Sequence, residues 1–339
     1  MSEHADDNND DYDGNIFIYR GGRAPLHIIR ARIDRSVNEV EAHAFSNCGN
    51  LLSVDTHNGI RKVGKGAFLN CVSLRRIDLK LSIEIDEYAF YNCEKLEYVE
   101  FGDVLETIGN AAFSCCTSLT HLKLPSIITM GASAFLFSSL VDIELSGKLE
   151  RMGTGVFYGS EFLQRIAIPP KRDMFEHRDF WNTRHYSQFK FCKQLTRVDL
   201  VGGIQSTVVS LHMEWWRTEM IAEINRINQV LPTKSAYEKT DEIRQWMGSV
   251  LDKMDHYKAE HRRYVREGMT ILELALWKAK LLGGTETAKT ETSSAAERRT
   301  KKVKVDGENG RKERRIMCRA DIVIKNVLPF LQLQLHDNK

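Results

Sequence analysis

The residues best suited to chemistry in this chain are its seven cysteines, and five of them occupy one repeated position. These five each lie three residues after a phenylalanine: Cys48, Cys71, Cys93, Cys116 and Cys192. Ser138 and Ser160 stand at the same position in two further repeats, so the role tolerates an atom that cannot form a disulfide. We therefore expect reduced structural thiols that hydrogen-bond the backbone of the next repeat. Disulfides and a metal site are the lesser alternatives. Cys115 and Cys318 lie outside this position.

Catalysis needs a nucleophile with a base, or a pair of acids, close together at positions that the repeat pattern does not already explain. The 11 histidines are scattered without zinc-binding spacing, and the glycine pairs lack the spacing of a phosphate-binding loop. We predict no catalytic residue, no metal ligand, no cofactor and no enzymatic activity. An insertion within residues 169–188 gathers His177, Trp181, His185 and Tyr186, which we expect to pack over the last repeat rather than bind a ligand.

The element that positions the cysteines is an internal repeat of 22 or 23 residues, with one step of 32. Its most constant residue is a phenylalanine: Phe45, Phe68, Phe90, Phe113, Phe135, Phe157 and Phe189. An aliphatic residue stands five positions earlier in the first six copies, and leucine and alternating aliphatics follow in each copy. Because so short a unit cannot bury a core alone, the copies must stack as a solenoid. The phenylalanine rings should then share one buried column.

The strands of this solenoid follow the leucine of each repeat. We predict them at 28–33, 51–56, 74–79, 96–101, 119–124, 140–145, 163–168 and 195–200. The unit Ile-x-x-x-Ala-Phe-x-x-Cys-x-x-Leu-x-x-Ile-x-Leu resembles the BspA-like (Treponema-type) leucine-rich repeat over residues 28–201. The resemblance implies a right-handed leucine-rich solenoid that binds other macromolecules, usually proteins, on its sheet face and has no chemistry of its own.

The side chains between the last two aliphatics of each strand should point away from the core. One column of these positions is mainly acidic, and a second column lies two residues earlier along each strand. We predict a partner-binding strip made of Arg76, Asp78, Tyr98, Glu100, His121, Lys123, Asp142 and Glu144, with Tyr98, Glu100, His121 and Glu144 at its core. The acidic column favours a protein partner with a basic or aromatic segment. A solvated face of mutually paired charges is the alternative.

After residue 205 the periodicity becomes helical. We predict one helix from Thr207 to Leu231, a second with a heptad seam at 236–267, and a third at 269–282. The seam is typical of a coiled coil, either packed within one chain or pairing two chains as a homodimer. The fold class is therefore α+β, a leucine-rich repeat solenoid (parallel sheet, short return segments) followed by a C-terminal helical region.

Five segments follow from these patterns. We predict an acidic disordered N-terminus at 1–15, the solenoid at 16–204, a helical hairpin or bundle at 205–282, a disordered basic linker at 283–315 and an apolar docking tail at 316–339. Two basic clusters within 298–315 resemble a bipartite nuclear-import signal and are an alternative contact for nucleic acid. Aromatic residues do not interleave them, so nucleic acid is not the expected partner.

The composition bounds the function. Lys and Arg number 48 against 46 Asp and Glu, no apolar run approaches the length of a membrane helix, and the first residues are acidic rather than those of a secretory signal. With reduced thiols, this favours an intracellular protein, cytoplasmic or nuclear, with no membrane contact. The leading hypothesis is a non-catalytic protein-binding scaffold. The rivals are a cell-surface or secreted adhesin and a nuclear factor that contacts nucleic acid through 298–315.

Overall fold

The structure, a computed structural model, describes residues 12–13, 15–172, 174–175, 187–211 and 213–288. The chain divides into two units, residues 1–255 and 256–339. The predicted cluster of histidines and aromatics at 177–186, most of the predicted linker, the basic clusters and the tail at 316–339 lie outside the described residues.

Strands of two to four residues build the principal sheet of the solenoid, in two hydrogen-bonded sets that are parallel except for the first strand. The first set has the order β1-β2-β3-β5-β7-β9, with β1 (Tyr12–Asp13), β2 (Ile16–Tyr19), β3 (Arg30–Ile33), β5 (Ser53–Asp55), β7 (Arg76–Leu79) and β9 (Tyr98–Phe101). The second has the order β11-β13-β15-β16, with β11 (His121–Leu124), β13 (Asp142–Leu145), β15 (Arg165–Ile168) and β16 (Arg197–Leu200). The predicted strands are present, each starting two residues later than expected.

The start of the chain differs from the prediction. Residues 1–15 were expected to be disordered, but β1 lies within them and pairs antiparallel with β2, Tyr12 opposite Phe17. The strand β2 is itself an additional parallel strand, since Phe17 pairs with Ala31 of β3. Phe17 and Tyr19 of β2 are buried while Ile16 and Ile18 are half-buried, so β2 turns one face to the core and extends the sheet by one strand.

A second parallel sheet of two-residue strands lies in the return segments, and the sequence did not predict it. Its strands are β4 (Glu39–Val40), β6 (Lys62–Val63), β8 (Glu84–Ile85), β10 (Thr107–Ile108), β12 (Thr129–Met130) and β14 (Arg151–Met152). The second residue of each strand is the aliphatic that precedes the phenylalanine by five, and all six are buried. Each of these repeats therefore contributes two strands to the solenoid.

The predicted phenylalanine column is confirmed. All seven rings are fully buried, and successive rings lie 5.0 to 5.9 Å apart between centroids with interplanar angles of 4 to 9°. Tyr19 extends the column at its start, with its ring 4.9 Å from that of Phe45. Near-parallel rings at this separation are offset stacks, a favourable arrangement for aromatic side chains. The column is the continuous core of the solenoid.

The repeated cysteines form hydrogen bonds between repeats, but in the direction opposite to the prediction. Cys71 Sγ donates to the carbonyl of Phe45 at 3.0 Å, in the preceding rather than the next repeat. Cys93, Cys116 and Cys192 do the same at 3.1 to 3.2 Å, and Ser160 Oγ donates to Phe135 O at 2.9 Å. All six cysteines in the described part of the chain are free thiols. The Ser160 hydroxyl therefore replaces the cysteine thiol as the hydrogen-bond donor at this repeated position.

The helical region differs from the prediction at three points. The helix expected at 207–231 is divided into α1 (Ile204–Ser210) and α2 (Glu214–Val230), because Leu211 turns inward in extended conformation and is buried. The second and third predicted helices are one helix, α3 (Lys239–Ala288). A single glycine such as Gly268 costs only about 1 kcal/mol in a helix, which is too little to end it. α3 also passes residue 283, where the linker was expected to begin.

Side chains from α2 and the start of α3 cover the last repeat of the solenoid. Asn228 Oδ1 accepts from Val198 N of the edge strand at 2.8 Å, and Thr240 Oγ1 accepts from Phe189 N at 2.9 Å. The buried Lys239 ammonium donates to the carbonyls of residues 192, 193 and 195 at 2.7 to 3.0 Å. These contacts satisfy backbone groups that the next repeat would otherwise pair.

Replacing Lys239 by methionine is expected to lower the free energy of unfolding by about 2 to 3 kcal/mol, because it removes charge-assisted hydrogen bonds and leaves buried carbonyls unpaired. Part of the loss is offset, since burial already disfavours the ammonium and lowers the pKa of Lys239. Chemical denaturation measures the change. The control is Lys258→Met, an exposed position on the same helix. Equal stabilities of the two variants would contradict this account of the cap.

The described part of the second unit is the remainder of α3. Its exposed face carries Tyr264, Ile271, Leu274 and Trp277, each at least half exposed. Three of these residues, Ile271, Leu274 and Trp277, lie within the range predicted for the third helix, 269–282. The oligomeric state of the chain stays a prediction.

Candidate functional site

The eight residues of the predicted partner-binding strip lie on four strands of the principal sheet. Arg76 and Asp78 are on β7, Tyr98 and Glu100 on β9, His121 and Lys123 on β11, and Asp142 and Glu144 on β13. In register, Arg76 stands opposite Tyr98 and Asp78 opposite Glu100, while His121 stands opposite Asp142 and Lys123 opposite Glu144. Each of the eight side chains is exposed or half-buried. Period-two alternation of aliphatic and polar residues along each strand turns them outward.

Most of the acidic column on this face is neutralised within the chain. Lys80 Nζ lies 2.9 Å from Asp78 Oδ2 and 3.1 Å from Glu100 Oε2, and these two carboxylates raise the pKa of the Lys80 ammonium. Arg165 contacts Asp199 of this column at 2.6 Å and Asp142 of the neighbouring column at 2.9 Å. Three of the eight predicted site residues are therefore engaged in ion pairs. The column contains one buried position, Ala167, next to the Arg165–Asp199 pair.

The other five predicted residues, Arg76, Tyr98, His121, Lys123 and Glu144, form what we call the central band. Within the described part of the chain, their side chains make no hydrogen bond or ion pair with one another or with other residues. Tyr98 is 53% exposed, although tyrosine is a large side chain. The band crosses the place where the two hydrogen-bonded sets of strands meet, between β9 and β11. It is a row of polar and aromatic groups without internal partners.

A groove extends the band toward the first repeats, and the sequence did not predict it. Arg76 and Tyr98 line it together with Arg30, Arg75, Ile16 and Leu52. Arg30 lies on β3, before the strands β7 to β13 that carry the predicted strip. The signal was present, because Arg30 pairs in register with Ser53 and so belongs to the same outward column.

The structure offers two observations on other classes of site. In the described part of the chain, no three His, Cys, Asp or Glu side chains are grouped as metal ligands. The described helices include none with the length and apolarity that a bilayer crossing requires.

Comparison with known proteins identifies the repeat. The model of the family described as BspA type leucine rich repeat region matches residues 26–102 and 83–200, in six copies. The match covers just over half of the chain. The chain belongs to this family. The BspA-type region coincides with the strands from β3 to β16 and with the phenylalanine column, so the family resemblance and the fold predicted from the repeat are both confirmed.

Three solved structures are among those similar to this chain. A leucine-rich repeat protein from Bacteroides ovatus is 24% identical, with a TM-score of 0.39 over 53% of this chain and 48% of that one. A T. pallidum leucine rich repeat protein is 21% identical, with a TM-score of 0.35 over 59% and 88%. The pneumococcal vaccine antigen PcpA is 16% identical, with a TM-score of 0.31 over 50% and 61%. The chain thus spans about half the length of the Bacteroides protein. No curated protein matches it.

Proposed function

We propose that this chain is a binding protein whose central band, on the sheet face of the solenoid, holds a segment of another protein. The observation that carries the proposal is the lack of internal partners for five adjacent polar and aromatic side chains, flanked on both sides by acids that are paired. On a face that served only to keep the protein soluble, we would expect these groups to form ion pairs or hydrogen bonds within the chain, as Asp78, Glu100 and Asp142 do. Exposed tyrosine and arginine are also the side chains most often dominant in binding energy.

The ion pairs bear on the charge of the partner. A basic segment was expected because the outward column of the sheet is acidic. Lys80, Arg165 and Arg197 already neutralise much of that column. The unpaired charges of the band are Arg76 and Lys123 against Glu144, so they favour a partner whose own charges are mainly acidic. An aromatic side chain in the partner remains suited to Tyr98 and His121.

We infer a binding role rather than a catalytic one, because leucine-rich repeat proteins of this family are typically non-enzymatic and the band holds no nucleophile beside a base. The intracellular compartment was predicted from the reduced thiols together with the acidic first residues and the lack of a long apolar run. The repeated thiols are buried and hydrogen-bonded, and such shielding protects a thiol in any compartment. A cell-surface adhesin would use the same face.

Truncating the band tests the proposal. Proximity labelling in cells identifies neighbouring proteins, and their binding to the purified chain is then measured directly. The variant Arg76→Ala, Tyr98→Ala, His121→Ala is expected to weaken binding at least about 30-fold, since loss of one dominant side chain alone costs about 2 kcal/mol or more. The loss should appear mainly in the dissociation rate.

The matched control places three alanines on outward positions of the second sheet, at Glu39, Thr107 and Arg151. This control should bind as the natural chain does. If the band variant kept full affinity and the control variant lost it, the binding face would be the second sheet and the proposal would be wrong. Labelling of intact cells with a membrane-impermeant reagent separates the adhesin from the intracellular scaffold.

A further inference from the structure

The groove beside the central band carries an excess of unpaired positive charge. Of the charged residues that line it, Glu97 pairs with Arg75 at 3.2 Å, and Asp55 pairs with Arg32 at 3.8 Å. The guanidinium groups of Arg30 and Arg76 make no hydrogen bond or ion pair in the described part of the chain. The groove therefore presents two unpaired cations, one on β3 and one on β7, the two strands that flank β5.

The residues that precede β1 have the complementary charge. Residues 1–11 contain five carboxylates and no lysine or arginine: Glu3, Asp6, Asp7, Asp10 and Asp11. This is the most acidic stretch adjoining the sheet, and the chain enters the sheet from it at Tyr12. We propose that residues 1–11 dock in the groove, with their carboxylates on Arg30 and Arg76.

The distances allow this docking. The strand order places Arg30 two strands from β1 and Arg76 four strands from it, so the farther cation lies about 19 Å away at about 4.8 Å per strand. An extended chain of 11 residues spans up to about 36 Å. Tethering within this reach gives an effective concentration of about 1 mM. A segment with only weak affinity for the groove would then occupy it for most of the time.

Docking would regulate the face described above. Arg76 and Tyr98 belong both to the groove and to the central band, so a docked acidic segment and an acidic partner compete for the same groups. The partner would have to displace residues 1–11, and its apparent affinity would equal its intrinsic affinity multiplied by the fraction of chains in which the groove is free. This regulatory consequence rests on the proposed function, whereas the docking itself does not.

The experiment uses a fluorescent peptide with the sequence of residues 1–11 and needs no partner protein. The full chain is compared with a full-chain variant in which Glu3 becomes Gln and the four aspartates become Asn. The neutralised variant should bind the peptide at least about tenfold more tightly than the natural chain, because its own segment no longer competes. The difference should disappear at about 0.5 M salt, where exposed charges are screened.

Two arginine variants, made in the neutralised chain, locate the site. Arg30→Gln with Arg76→Gln should reduce peptide binding at least tenfold, whereas Arg23→Gln with Arg35→Gln, at exposed arginines outside the groove, should not. Equal binding by the natural and neutralised chains, no binding by either, or loss only in the Arg23 and Arg35 variant would each overturn the docking. Because the readout is the peptide alone, the docking can fail while partner binding at the band stands, and the reverse also holds.

Discussion

Replacing Phe113 by alanine should lower the free energy of unfolding by about 3 to 5 kcal/mol, the largest loss expected from any single core substitution in this chain. Phe113 is fully buried in the middle of the column, 5.0 Å from the ring of Phe90 and 5.5 Å from that of Phe135. Phe101 also meets it edge to face at 6.0 Å. Removing the ring loses three aromatic contacts and opens a cavity. The cavity cannot collapse, because the hydrogen bonds of the two parallel sheets hold the neighbouring repeats in place.

The position in the stack adds a second expectation. In a solenoid each repeat contacts only its neighbours, so stability is close to a sum of repeat and interface terms. A cavity at Phe113 weakens the two central interfaces, and the denaturation curve should broaden or separate into two steps.

The control for this prediction is Phe162→Ala, because that ring is 51% exposed and its loss should cost about 0.5 kcal/mol or less. Urea denaturation followed by circular dichroism measures both variants. If Phe113→Ala cost no more than Phe162→Ala, the column would not be the core of the solenoid, and the register of the repeat would need to be reassigned.

The solenoid was predictable from the sequence because one pattern is repeated with little change. The Ala-Phe pair, with a small residue three positions later, fixes the register of every repeat, and in a stack each copy supports the assignment of the next. The outward positions followed from the same register. This is why all eight predicted site residues lie on the sheet face.

The features that the sequence did not reveal depend on single contacts rather than on repetition. The second sheet consists of two-residue strands, which are too short to show alternation. The pairing of Lys80 with Asp78 and Glu100 depends on a residue just beyond the strand, outside the two columns. Lys239 reads as a surface lysine at the start of a helix, and only the fold brings it over the last repeat.

Cys115 shows a second register that the sequence analysis overlooked. It lies two residues after Phe113, where the backbone is left-handed, at φ 61°. Asn47, Asn70 and Asn92 occupy the same position, and their side chains form a chain of hydrogen bonds of 2.8 and 3.1 Å. Asparagine tolerates this conformation better than most residues. The cysteine that seemed out of place therefore occupies the position where three earlier repeats have asparagine.

The repeated thiols predict a marked loss of stability in alkali. Burial raises the pKa of Cys48 to about 11 and that of Cys192 to about 12, and it raises the pKa of Cys71, Cys93 and Cys116 further. An unfolded chain releases these protons near the usual cysteine value of about 8.5, whereas the folded chain keeps them. The unfolded state thus binds fewer protons above that pH, so stability is full below about pH 8.5 and falls as the pH rises toward the folded values.

The magnitude is large because five groups act together. Each thiol should remove about 1.4 kcal/mol per pH unit, or about 2 kcal/mol by pH 10, and the five together about 10 kcal/mol. A typical domain has only about 5 to 15 kcal/mol in total, so the reduced chain should unfold between about pH 9.5 and 11. Denaturant titrations at a series of pH values, with a reductant present, measure the slope.

Substitutions at the repeated position separate the thiols from the other groups that titrate in alkali. Cys93→Ser keeps a donor to the Phe68 carbonyl but has no proton to lose in this range, so its stability should fall with pH less steeply by about 1.4 kcal/mol per unit. Ser160→Cys adds a thiol to the same array and should steepen the slope by the same amount. Parallel pH curves for both variants and the natural chain would show that the thiols are not the groups responsible, and that their burial does not control the alkaline limit of the fold.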